Sequence, residues 1–150
     1  MMMLLLVKHT YKILVASYCL REDIMLSENI EYSRMENIFK LTMFKSDRNA
    51  MSDYMEQLKE SLETLEPDEP YLLILDVTQS GFPSVKFGLQ QGNELIASFG
   101  RDRRVRILVI HDDVVMASVT KTLLMALDNI KVQFTRSQDI EEYMDWLQTG

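Results

Sequence analysis

The sequence predicts an α/β domain built on a mainly parallel sheet, and three observations predict it. Met51, Tyr54, Met55, Leu58, Leu62 and Leu65 recur at helical spacing, with Asp53, Glu56, Lys59, Glu60 and Glu63 on the opposite side. Two unbroken apolar runs, Tyr71 to Val77 and Val105 to Ile110, are bounded by turn residues, the pattern of strands covered on both faces. Strand and helix patterns then alternate to the end of the chain, which implies right-handed crossovers between parallel neighbours.

The elements follow in order. Ile30 to Arg34 and Asn37 to Phe44, separated by the polar pair Glu36-Asn37, read as a β-hairpin. The amphipathic helix comes next and is ended by Pro67 and Pro70. Tyr71 to Val77 reads as the central strand. A loop from Thr78 to Pro83 leads to a helix over 84–99, whose apolar side is Val85, Leu89, Leu95, Ile96 and Phe99. Gly88 and Gly92 weaken that helix by about 1 kcal/mol each relative to Ala, so packing must compensate. Val105 to Ile110 forms a second buried strand, Val114 to Leu127 a helix, and Ile130 to Thr135 an alternating, peripheral strand. Asp139 to Leu147 closes the chain as a helix with Ser137 as candidate N-cap. The order is ββαβαβαβα, assigned to a single domain over 25–150. Residues 1–24 are read as an N-terminal extension: Met1 to Val7 is apolar but is broken by Lys8 and His9, well short of the roughly 18 apolar residues a membrane span needs.

Composition bounds the function classes. A chain of 150 residues with 47% in the apolar class can bury one sizeable core without disulfide or metal staples. Its net charge of -7, from 16 basic and 23 acidic side chains, disfavours a general nucleic-acid binder, because phosphate neutralisation needs an excess of Lys and Arg. Cys19 stands alone, which excludes an internal disulfide and a Cys-x-x-Cys pair and fits a reducing, cytoplasmic compartment.

This order, with Ile74-Leu75-Asp76-Val77-Thr78 at the end of the first crossover strand, resembles the STAS family of sulfate-transporter and anti-sigma-factor-antagonist domains. It looks most like the STAS/SEC14-like branch of small bacterial proteins. The similarity covers about residues 28 to 148, and includes Phe87-Gly88-Leu89, an Arg-rich turn before the next strand, and the terminal Tyr143-Met144-Asp145-Trp146-Leu147. Partner-switching members begin the helix after this strand with Asp-Ser-Ser-Gly, whose serine is phosphorylated. Here the stretch is Phe82-Pro83-Ser84-Val85-Lys86-Phe87, so the resemblance supports the fold more than it supports phosphoregulation. In the SEC14-like comparison the same region faces an apolar ligand pocket, for which Phe82, Val85 and Phe87 are suitable wall residues.

Other chemistry is sparse. His111-Asp112-Asp113 lies between a buried strand and a helix, at the carboxyl edge of the sheet where α/β folds commonly bind ligands. The plainer role for Asp112 or Asp113 is to cap the following helix. His9 is the only other histidine, and no metal site is assigned. Asp76 ends a strand as the phospho-acceptor of response-regulator receivers does, but the acidic residues come after it and no lysine follows the last strand. Ser80, Ser84, Ser98 and Ser118 lack a Gly-x-Ser-x-Gly elbow, and Gly81, Gly88 and Gly92 do not make a phosphate loop. Arg101, Arg103, Arg104 and Arg106 read as a solvated loop, or as a surface for an acidic partner or lipid head group. Met51, Met55, Met116 and Met125 read as core.

The expectation is therefore a non-enzymatic STAS-like regulatory or binding module, with a homodimer as its candidate assembly. It binds an apolar small molecule of the lipid or quinone class, or a protein partner, through Ser80, Phe82, Ser84, Val85, Phe87, His111 and Asp112. The alternatives are a partner switch phosphorylated at Ser84 or Ser80, and an enzyme that uses the His111-Asp112-Asp113 edge. No cofactor, nucleic-acid partner or integral membrane segment is expected.

Overall fold

The computed structural model describes residues 25–84, 86, 90, 93–94, 97–98, 103–124 and 130–150. Among these, six strands form one sheet in the order β1-β2-β3-β4-β5-β6. They are β1 (Met25–Leu26), β2 (Ile30–Met35), β3 (Ile38–Met43), β4 (Tyr71–Asp76), β5 (Val105–Ile110) and β6 (Ile130–Thr135). The first three are antiparallel neighbours, and β3 to β6 run parallel. Helix α1 (Arg48–Glu63) connects β3 to β4, α2 (Val114–Leu124) connects β5 to β6, and α3 (Ile140–Thr149) closes the chain. The α/β class and the mostly parallel sheet thus agree with the sequence reading. Strand β1, two residues long, is an addition to it. Residues 1–24, Val85, Phe87, Gly88, Gly92, Arg101 and Met125 lie outside the described residues; Lys86, Gln90, Asn93, Glu94, Ala97 and Ser98 are helical, within the span read as a helix.

Local chemistry sets the element ends. Glu36 and Asn37 connect Met35 to Ile38, which pair directly, and Glu36 takes a φ of 53°. A left-handed backbone costs a residue with a Cβ about 1–2 kcal/mol. The Glu36 carbonyl accepts a 2.8 Å hydrogen bond from Nε of Arg34. Asp47 caps α1, its carboxylate accepting from the Ala50 amide at 2.9 Å. At the other end of the chain Ser137 is not the cap that its position predicted. A single 3-10 turn, Ser137–Asp139, precedes α3, and the Asp139 amide donates to the Arg136 carbonyl at 3.0 Å. That extra turn moves the start of α3 to Ile140, three residues beyond Ser137.

Two apolar layers flank the sheet. Phe39, Leu41 and Met43 of β3, Tyr71 and Leu73 of β4, and Val105, Ile107 and Val109 of β5 share one face, packed with Met51, Tyr54, Met55 and Leu58 of α1. Tyr32, Phe39 and Tyr71 stack across that face, with centroids 6.0 and 5.1 Å apart. The other face presents Ile38, Leu72, Ile74, Leu108 and Ile110 to Leu147, Ile140, Tyr143, Met144 and Trp146 of α3. β4 therefore has both faces covered, which is why its sequence is continuously apolar instead of alternating.

The sequential strand order has a consequence for ligand binding. From β3 to β6 each parallel strand lies next to its predecessor and the sheet grows in one direction, so the order never reverses. The crevice that reversal opens in doubly wound sheets does not arise here. A site at the carboxyl edge must instead be built from the loops after β4 and β5.

Candidate functional site

The parallel ladder continues one residue past its assigned ends. The Val77 amide donates to the Ile110 carbonyl at 2.9 Å, and the His111 amide to the Thr135 carbonyl at 3.0 Å. Strand alternation then places His111 on the same face as Val105, Ile107 and Val109. The consequence is burial: His111 is only 6% exposed.

After Val77 the chain folds back on itself. Asp76 Oδ1 accepts from both the amide and the hydroxyl of Thr78, at 2.9 and 2.7 Å, an Asx turn that ties this carboxylate to its own loop. The Gly81 amide donates to the Val77 carbonyl at 2.8 Å, and Gly81 adopts a φ of +72°, the left-handed conformation that favours glycine here. That reversal brings Phe82 over the end of the sheet. Its ring centroid lies 5.9 Å from His111 and 6.3 Å from Phe134, and His111 lies 6.1 Å from Phe134 in an edge-on arrangement. Three rings from the β4–α loop, the end of β5 and the edge strand β6 thus meet at one corner of the sheet.

One polar atom is enclosed with them. Nδ1 of His111 is buried and has no hydrogen-bond partner. A buried polar atom without a partner costs about 1–3 kcal/mol, so native structures rarely keep one without a reason.

The remaining candidate residues are placed as follows. Asp113 caps α2: its carboxylate accepts from the Met116 amide at 3.0 Å, and its carbonyl from the Ala117 amide at 3.0 Å. Asp112 is exposed, so His111, Asp112 and Asp113 do not converge on one point although they are adjacent in sequence. Ser80 is half-buried, with its hydroxyl donating to the Gly81 carbonyl at 2.8 Å, and Ser84 is exposed. Phe134 was missed, because the sequence marks its strand as peripheral. The available signal was the alternation Ile130, Val132, Phe134, which puts Phe134 beside Val109 in the β5–β6 register.

Two of the four arginines read as a solvated loop or partner surface, Arg103 and Arg106, bond to backbone carbonyls, and Arg101 lies outside the described residues. Arg103 Nη1 donates to the carbonyls of Glu66 and Glu69 at 3.1 and 2.8 Å, and Arg106 Nη1 to that of Trp146 at 3.2 Å. Arg104 is exposed. A groove of about 900 Å³ runs along α1, between Arg48, Glu56, Lys59, Glu60 and Glu63 on one side and Gln90 and Glu94 on the other. Its lining is largely charged, and none of the three rings at the sheet corner lines it. The apolar side read for the 84–99 helix, Val85, Leu89, Leu95, Ile96 and Phe99, lies outside the described residues.

Comparison with protein-family models, with curated proteins and with solved structures finds no match to this chain. The geometry of the corner therefore carries the functional argument. Among the described residues no group of three or more His, Cys, Asp or Glu side chains is placed to hold a metal ion, and no helix is long and apolar enough to cross a membrane.

Proposed function

We propose that the protein is a non-enzymatic, STAS-like binding module of the STAS/SEC14-like kind, and that it takes an apolar small molecule of the lipid or quinone class at the corner formed by Phe82, His111 and Phe134. The observation that carries this reading is the meeting of those three rings at the carboxyl edge of the parallel strands. Phe82 and Phe134 are each only half-buried, so both rings keep surface that an apolar ligand can cover. Small-molecule sites have this composition: mostly apolar and aromatic walls with very few polar groups to fix orientation.

Phosphorylation-controlled partner switching at Ser84 or Ser80 has weaker support. The Asp-Ser-Ser-Gly context is missing from the sequence, and the Ser80 hydroxyl is engaged by its own turn. Catalysis at the His111-Asp112-Asp113 edge needs those side chains to act together, whereas Asp113 is committed to capping α2.

Native mass spectrometry of the purified protein tests the proposal. A co-purifying mass in the lipid or quinone range is expected in the wild type, and Phe82→Ala and Phe134→Ala are expected to lower its occupancy. A wild type without bound mass, together with a loss of about 3–5 kcal/mol in Phe82→Ala, identifies the corner as ordinary core and returns protein docking as the better account.

A further inference from the structure

Resting on the ligand site proposed above, we infer that Nδ1 of His111 is its polar anchor and accepts a hydrogen bond from a neutral aromatic alcohol, a phenol or hydroquinone hydroxyl. The uncharged imidazole carries its proton on one nitrogen and a lone pair on the other. Nδ1 is the enclosed one without a partner. A buried backbone N–H without an acceptor is rare in native structures, and the same desolvation cost applies to a ring N–H. The bare lone pair therefore belongs at Nδ1 and the proton at Nε2. A site with an enclosed acceptor selects a ligand that brings a donor, so within the quinone class it takes the reduced, hydroquinone form, whereas an ether oxygen brings no donor.

The surroundings narrow the class further. The half-buried rings of Phe82 and Phe134 favour a flat apolar body. Access runs past Phe82. This ring stands on the loop after Gly81, not on a strand, and the space around the Gly81 Cβ position is open to 4 Å. For a hydroxyl to reach Nδ1, Phe82 must move aside about that glycine.

Two probes of nearly equal shape test this: 2-naphthol, which has the donor, and 2-methoxynaphthalene, which does not. Titration calorimetry on the full chain is expected to show 2-naphthol bound at least about tenfold more tightly, as sites built around one hydrogen bond reject analogues lacking it. His111→Phe is expected to keep affinity for the ether and to abolish the preference. As a check that does not depend on the folding of a variant, the protein labelled with 15N-histidine has only His9 and His111 to assign. The Nδ1 resonance of His111 is expected to move with 2-naphthol and much less with the ether. Equal affinities, an unmoved Nδ1 resonance, or a preference that survives His111→Phe overturns the anchoring role while leaving the apolar site in place. If neither probe binds and neither perturbs His111, the site and the anchor fall together.

Discussion

The hydroxyls of Ser61 and Tyr71 lie 2.8 Å apart in the buried layer between α1 and β4. Ser61 Oγ already donates to the Leu58 carbonyl at 2.7 Å, so it receives its second hydrogen bond from Tyr71. This pair fixes the rotation of α1 over the sheet, a constraint that apolar packing alone leaves loose. Ser61→Ala is expected to cost about 1–2 kcal/mol and Tyr71→Phe about 1 kcal/mol in urea denaturation. The double variant is expected to fall short of their sum, since both remove one interaction. Strict additivity would show that the two hydroxyls act independently.

Alkaline pH is expected to unfold the protein. Burial pushes the hydroxyls of Tyr54 and Tyr71 far above the ordinary tyrosine value of 10.0. A raised folded-state value means that the native form holds its proton where the unfolded form loses it. The stabilisation is complete below pH 10 and declines above it, by up to about 1.4 kcal/mol per pH unit for each tyrosine. Phenolate absorbance should therefore rise in two stages, the second coinciding with loss of helical circular dichroism. Tyr54→Phe should flatten the pH dependence of stability above pH 10.

Arg106 ties β5 to the end of the chain. Its guanidinium donates to the Trp146 carbonyl, which also accepts from the Gly150 amide at 2.8 Å, and it places a positive charge at the negative end of α3. Arg106→Gln is expected to cost about 1 kcal/mol and to speed amide exchange in the last turn of α3 before it affects β4 or β5. A uniform change in exchange across the sheet would contradict this local role.

Glu36 offers the opposite case, a site where sequence and backbone disagree. Its φ of 53° suits glycine, and its side chain is exposed. Glu36→Gly is expected to raise stability by up to about 1 kcal/mol, or by about 2–4 °C in Tm for a chain of this size. A fall in Tm would mean that the glutamate side chain contributes more to the turn than its backbone conformation costs.

Much of the fold is legible in the chain because burial leaves a local record. The stripe from Met51 to Leu58 marks the buried side of α1, and the runs at Tyr71 and Val105 mark strands with no solvent-facing side. The polar Glu36-Asn37 pair marks the hairpin turn as clearly. Strand β1 leaves almost no such record: two residues do not establish a period, and they join the sheet by pairing with Glu31 and Tyr32. Ser137 shows a related failure, because cap preference is a local propensity and the 3-10 turn ahead of α3 displaced it.

The candidate site divides along the same line. Phe82 and His111 are visible in the sequence as an aromatic and an imidazole after two buried strands. Periodicity records that a side chain is buried, without recording against what. That Phe134 completes the group, that Asp113 turns away to cap α2, and that Nδ1 is enclosed without a partner were all decided by the register of β5 on β6 and by the reversal at Gly81. Those contacts join residues 23 to 52 positions apart, and only the paired sheet brings such distant residues within reach of one another.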